Sequence, residues 1–181
     1  MRELSLHVLD IVQNSLAAGA SIVEVSINEN IKEDILEIII KDNGKGMSQE
    51  EIKKVIDPFF TSRTTRKVGL GIPLFKANAE ACNGNFTISS QLGKGTTVYA
   101  SFQISHIDRV PLGDMVRTII SILAVNPSLK LIYKHNINGQ EFTFNSEEIK
   151  ETLEDVPINN PLVLDWLKLF LTENLERIKL D

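Results

Sequence analysis

The order of periodic segments predicts an α+β sandwich, one sheet with helices packed on one of its faces. Three observations carry that expectation. Strand patterns come in neighbouring pairs, 22–28 with 36–40 and 86–90 with 96–104, as hairpin strands do. Helical patterns lie before and between those pairs rather than alternating singly with strands. No regular βαβ alternation is present, which counts against a doubly wound layout. The glycines form no Walker loop either: Lys94 is followed by Gly95, and no glycine stands at the required upstream spacing.

Each element has its own signal. Over 3–17, Leu4, Val8, Ile11, Val12 and Leu16 recur at helical spacing and Gly19 follows as a stop. Asp10 and Asn14 stand four apart on that helix, hence on one face. Val23, Val25 and Ile27 then alternate with Glu24, Ser26 and Asn28. A polar turn through Asn30 and Glu33 leads to a second strand at 36–40, and the two should pair as a hairpin. Ser48 with Glu51 is a capping-box pattern that opens a helix ended by Pro58. Residues 61–67 are rich in Thr, Arg and Lys without periodicity and read as a loop. A helical pattern from Leu70 to Cys82 precedes the last strand pair, joined through Gly93-Lys94-Gly95.

Composition narrows the function. At 181 residues the chain holds one domain with a full core, or a domain with a small addition. A net charge of -5 argues against a nucleic-acid binder. Cys82 is alone, so no intrachain disulfide can form, which suits a reducing compartment. No signal-peptide layout and no membrane-spanning run are present. The expectation is a cytoplasmic protein without membrane insertion.

Three stretches together supply the parts of a nucleotide site: LDIVQN (9–14), KDNGKGM (41–47) and FFTSRTTRKVGLGI (59–72). Magnesium takes oxygen donors, mostly phosphate and water with one or two protein groups, and the Asn14 carboxamide is a suitable neutral ligand. The Asp42 carboxylate would accept from the N6 amino group of adenine and repel the guanine carbonyl. Gly44 and Gly46 remove Cβ atoms where backbone would approach a flat base. Gly69-Leu70-Gly71 opens a helix whose free N–H groups favour anions, beside Arg63, Arg66 and Lys67. Taken singly, each has an ordinary structural reading: a turn, a loop-to-helix hinge, a solvated helix face. Their joint order separates the two readings.

With those residues in view, the chain resembles the GHKL ATPases (gyrase, Hsp90, histidine kinase and MutL type). DIVQNSLAAGA is similar to their N box, KDNGKGM to the first glycine box, DPFFTSR to the phenylalanine-containing box, KVGLGI to the second glycine box and GKGTTV to the third. The likeness covers about residues 3–104 and is nearest to the ATP-binding half of sensor histidine kinases. The resemblance implies the Bergerat fold, a two-layer α/β sandwich with a mixed sheet. It implies ATP and Mg2+ as cofactors, with Asn14 on magnesium, Asp42 on the adenine amino group, and Thr96 supporting Asp42 or a water beside it. Residues 57–68 would form the ATP lid. The other contacts it implies are Gly44, Gly46, Met47, Phe60, Thr61, Arg63, Lys67, Gly69, Leu70, Gly71 and Ile72.

The sequence also departs from the family. Met1 lies almost at the first helix, so the upstream dimerisation and phosphoacceptor helices of histidine kinases are not expected. The residue four before the N-box Asn is Asp10, where related ATPases carry Glu or Asn. Asp10 is thus either a catalytic, water-activating base or a partner of magnesium-bound water. His7, three before Asp10, could orient it or accept a phosphoryl group, against the reading of a partly buried helix residue.

Residues 1–106 are therefore expected as the ATP-binding domain and 107–181 as a C-terminal αββαα appendage of unassigned role. In the latter, Pro111 caps a helix ending near Ala124, and strands 129–135 and 141–144 flank the Asn138-Gly139 turn. Ser146 opens a short helix, and Pro161 precedes the last one. This segment is short to fold alone and is expected to pack on the first, with self-association as a homodimer or a partner surface as the other options. The function expected is an Mg-ATP-dependent nucleotide switch in signalling, read by a protein partner. The alternatives are a protein kinase acting on Ser or His of a partner, similar to anti-sigma-factor kinases, or a simple ATPase.

Overall fold

The computed structural model of the chain describes residues 2–59 and 71–180. Helix α1 (Leu4–Ala17) leads into the hairpin β1 (Ile22–Asn30) and β2 (Ile35–Asp42), then α2 (Gln49–Ile56) and α3 (Gly71–Ala81). The hairpin β3 (Phe86–Gln91) and β4 (Gly95–Gln103) follows. After it come α4 (Met115–Val125), the hairpin β5 (Lys130–Ile137) and β6 (Gln140–Asn145), α5 (Ser146–Leu153) and α6 (Pro161–Leu180). The strands form one mixed sheet in the order β3-β4-β2-β1-β5-β6. β1 runs antiparallel to β2 and parallel to β5.

Strand alternation sets which face is covered. Val23, Val25 and Ile27 of β1, Leu36, Ile38 and Ile40 of β2, and Val98, Ala100 and Phe102 of β4 are buried on one side. The register aligns them, Ile38 lying between Ile27 and Ala100. Helices α1, α3, α4 and α6 send their apolar stripes into the same core. The other face is polar or half-exposed, with Glu24 paired to Lys134 and the Tyr99 hydroxyl donating to Glu37. Phe75 of α3 is fully buried, against Phe102, Phe86 and His7 at ring-centroid distances of 5.7, 6.3 and 5.4 Å. Truncating so central a ring to Ala costs about 3–5 kcal/mol.

Segment 107–181 continues the same sheet. Without it β1 would be a free edge, an open row of N–H and C=O groups; β5 pairs along that edge from Ile22↔Lys130 to Glu29↔Ile137. Side chains lock the seam. The buried His135 donates through Nε2 to Glu29 at 2.7 Å, and the buried Tyr133 hydroxyl donates to His135 Nδ1 at 2.7 Å. The segment also completes α1. Glu3, the N-cap residue, makes no side-chain cap. The carbonyls of Pro111 and Leu112 do that work, accepting from the N–H groups of Leu4 and Ser5.

That use of Pro111 corrects one expectation. The residue capping α4 is Asp114, whose side chain accepts from the Arg117 N–H at 2.8 Å. Gly113, at φ +84°, turns the chain between them, and a Cβ there would strike Glu3 and Ser5. Two other local signals appear as expected, whereas the loop expected over 61–67 and the Gly69-Leu70 helix opening lie outside the described residues. Ser48 and Glu51 form both bonds of a capping box. Asn138 and Gly139 both take positive φ at the β5–β6 turn.

Candidate functional site

The site lies where the C-terminal half of α1 crosses the end of β2. Asp42 is the last residue of β2, on the core side of the sheet and opposite Thr96 of β4. Its two oxygens are held separately: Oδ2 accepts from the Ser15 hydroxyl at 2.6 Å, and Oδ1 from the Gly44 N–H at 2.8 Å. Each oxygen keeps a lone pair after those bonds. Ser15 is missing from the residues the sequence suggests. It follows Asn14 directly and carries no spacing signal beyond standing one helical turn after Ile11.

The loop after Asp42 is stitched on both sides. The Lys45 N–H donates to the Ala18 carbonyl at 2.9 Å, and the Lys45 carbonyl accepts from Gly93 at 2.7 Å. The Met47 N–H donates to Ser90 Oγ at 2.7 Å, and Ser90 also contacts Thr96 Oγ1 at 2.8 Å. The glycines make these approaches sterically possible. A Cβ on Gly44 would sit 3.0 Å from the Ala18 carbonyl oxygen, and one on Gly46 would run into the Gln91 carbonyl. Thr96 bonds Ser90, and among the described residues the hydroxyl on Asp42 is that of Ser15.

These residues enclose a cavity of about 290 Å³, at the low end of small-molecule pockets. Ile11, Val98, Ile72 and Met47 supply apolar walls, and Asp42, Thr96, Asn14, Ser15 and Lys45 the polar residues. The structure thus brings Asn14, Asp42, Gly46, Met47, Ile72 and Thr96 around one space, with Gly44 behind Asp42. The Asn14 carboxamide is half-buried and makes no hydrogen bond among the described residues, so its oxygen is free to ligate. An oxygen donor at the rim and a fixed acceptor at the floor fit a magnesium-bound adenine nucleotide. Phe60, Thr61, Arg63, Lys67, Gly69 and Leu70 lie outside the described residues.

Asp10 is placed differently. It stands one turn before Asn14 on α1, outside the cavity lining, packed against the start of α3. A Cβ on Gly71 would lie 2.8 Å from Asp10 Oδ2. Its carboxylate makes no hydrogen bond among the described residues, and partial burial pushes its pKa above the usual carboxylate range. His7 is buried on Phe75 and accepts at Nε2 from the Asn78 amide at 2.9 Å. Nδ1 then carries the ring proton and makes no hydrogen bond of good geometry among the described residues, although the Gly71 backbone favours a proton on the ring. Burial lowers the His7 pKa to about 4. No bond joins His7 to Asp10 among the described residues, so the ring serves the α1–α3 contact. Cys82 is buried at the end of α3, as packing requires.

Comparison with known proteins identifies the family and the fold. Residues 2–106 match the family described as histidine kinase-, DNA gyrase B-, and HSP90-like ATPase. The chain belongs to that family. It is 33% identical over 101 residues to the histidine protein kinase DivJ of Caulobacter vibrioides, covering 54% of this chain and 17% of DivJ. It is 40% identical over 80 residues to the sensor protein SrrB of Staphylococcus aureus, covering 41% and 13%. The matches therefore span less than a fifth of those relatives' lengths. Among solved structures, the Aquifex aeolicus MutL ATPase domain complexed with ADP superposes with a TM-score of 0.52 at 18% identity, over 85% of this chain and 70% of that one. The N-terminal domain of a DNA repair protein gives 0.51 at 15% identity, over 79% and 52%. These two share the fold.

Proposed function

We propose that the chain is a cytoplasmic Mg-ATP-binding regulatory protein, a nucleotide switch whose ATP-bound surface is read by a partner protein. The observation that carries the reading is the Asp42 carboxylate, fixed by Ser15 and Gly44 at the floor of a largely apolar cavity. A carboxylate so held accepts from an adenine amino group and repels the guanine carbonyl. Ile11, Val98 and Met47 pack the flat base, and Asn14 at the rim offers its oxygen. The Asn14 oxygen would help hold magnesium, which would supply charge neutralisation at the triphosphate. A partner that binds only the nucleotide-loaded form converts occupancy into a signal. The unpaired Cys82 fits a reducing setting.

Asp10 favours a second, catalytic reading. Half-buried and without a hydrogen-bond donor among the described residues, it has the raised proton affinity and the lone pair that a general base needs. In a protein kinase Asp10 would take the proton of a Ser or His acceptor on the partner; in an ATPase it would take one from water.

Incubation of the chain with γ-labelled ATP, alone and with cellular extract, separates these readings. The switch predicts protection against thermal unfolding by ATP, with no label transferred and no phosphate released. Label on another protein supports the kinase, and phosphate released by the chain alone supports the ATPase. No protection and no turnover would overturn the nucleotide reading.

A further inference from the structure

Ser90, Thr96 and Asp42 stand in one cross-strand row of the sheet. Ser90 of β3 is paired with Thr96 of β4, and Thr96 with Asp42 of β2. Asp42 and Thr96 line the cavity, and Ser90 stands behind Thr96, outside that lining. Cβ atoms directly opposite each other on neighbouring strands lie about 5 Å apart. The Thr96 hydroxyl and the Asp42 carboxylate therefore present polar atoms to the same part of the cavity. No hydrogen bond joins the two among the described residues. What Thr96 offers a ligand depends on where its single proton goes.

Ser90 decides that. A hydroxyl holds one proton and two lone pairs, and the Ser90 oxygen has three polar neighbours. The Met47 N–H lies 2.7 Å away and can only donate. The Gly95 carbonyl lies 3.0 Å away and can only accept. Thr96 Oγ1, at 2.8 Å, can do either. One assignment makes all three contacts hydrogen bonds: Met47 donates to Ser90, Ser90 donates to Gly95, and the remaining Ser90 lone pair takes the Thr96 proton. Both outer partners are held in place. Gly95 packs on the end of β2, where a Cβ would strike the Asp42 carbonyl, and Met47 follows a loop that Ala18 and Gly93 hold at Lys45. We infer that Ser90 is a positioning residue for base recognition, which takes up the Thr96 proton and leaves Thr96 facing the cavity as an acceptor. The floor then carries two acceptors side by side, and neither offers a proton to a carbonyl. Adenine presents an amino group where guanine presents a carbonyl, so the pair sharpens the choice of adenine. This inference rests on the nucleotide reading above and adds a determinant of base choice to it.

Calorimetric titration of the full chain with ATP and with GTP, each with magnesium, tests it through the ratio of the two affinities. Ser90→Ala frees the Thr96 proton, which can then be donated to the guanine carbonyl. The preference for ATP over GTP should fall about threefold to tenfold, the worth of one neutral hydrogen bond. Circular dichroism and melting temperature show that the variant is folded. Thr96→Val removes the hydroxyl through which Ser90 acts. In that background Ser90→Ala should change the ratio by less than about twofold, because the two substitutions remove one interaction. A ratio that Ser90→Ala leaves unchanged or raises, or independent effects of the two substitutions on it, would make Ser90 a packing residue and overturn the proposal alone. Equal affinities of the wild-type chain for ATP and GTP would overturn the nucleotide reading and this inference with it.

Discussion

Two carboxylates, one lining the cavity and one a turn of α1 outside it, live in opposite environments. Asp42 is held by two donors, Ser15 and Gly44, at the end of a central strand. Asp10 has no donor among the described residues and sits partly desolvated against Gly71. A group that reads a base by shape and charge benefits from fixed orientation, since any wobble blurs the discrimination. A group that accepts a proton benefits from an uncommitted lone pair and a raised proton affinity. On the proposed function, the contrast separates a fixed recognition group from a group with what proton transfer needs.

The comparison can be broken at either carboxylate. The largest effect belongs to Asp10→Asn, which should lower any phosphate release or transfer at least about a hundredfold. Its dissociation constant for ATP should stay within about threefold, because Asp10 does not line the base cavity. Turnover rates and calorimetry check both halves, and undiminished turnover would remove Asp10 from the chemistry. The same variant should melt higher at neutral pH, by about 1–3 °C. A carboxyl whose folded pKa is raised binds its proton more readily folded than unfolded, so ionising it costs stability above that pKa. The gain should vanish below the unfolded value of 3.8.

Asp42→Asn comes next, weakening ATP about ten- to a hundredfold by replacing a charged acceptor. Ser15→Ala should act in the same direction but weaken ATP only about fivefold, because it removes one neutral donor and leaves Gly44 in place. Equal losses from the two variants would mean that orientation, rather than charge, carries the recognition.

The smallest effect is a pH slope at the α1–α3 contact. His7 has a folded pKa of about 4 against an ordinary 6.5. The unfolded chain therefore binds more protons between those values, and stability falls as pH drops from 6.5 toward 4. His7→Gln, which keeps a side chain able to bond Asn78, should flatten that part of a melting-temperature profile. An unchanged slope would place the acid sensitivity elsewhere.

Local signals carried much of this architecture, and long-range ones did not. The capping box at Ser48, the β1–β2 hairpin and the Asn138-Gly139 turn are written in adjacent residues, so they were legible. The placement of β5 beside β1 was not. It pairs residues more than a hundred positions apart, such as Val25 with Tyr133, and both strands show only ordinary alternation. The α4 cap misled for a related reason: Pro111 is a plausible start, but its carbonyl is committed to the first turn of α1. In the site, Asn14 and Asp42 could be named because motif order marks them. Ser15 could not, since its role exists only once the end of β2 lies beneath α1. The sequence placed His7 correctly on the face of Asp10, yet only packing shows that its ring turns to Phe75 and Asn78.

The most direct measurement is calorimetric titration of the wild-type chain with ATP and with GTP, each with magnesium. The account predicts saturable one-to-one heat with ATP and an affinity for GTP at least about tenfold weaker, because the Asp42 carboxylate meets an amino group in one base and a carbonyl in the other. Equal affinities for the two, or no heat from either, would contradict it.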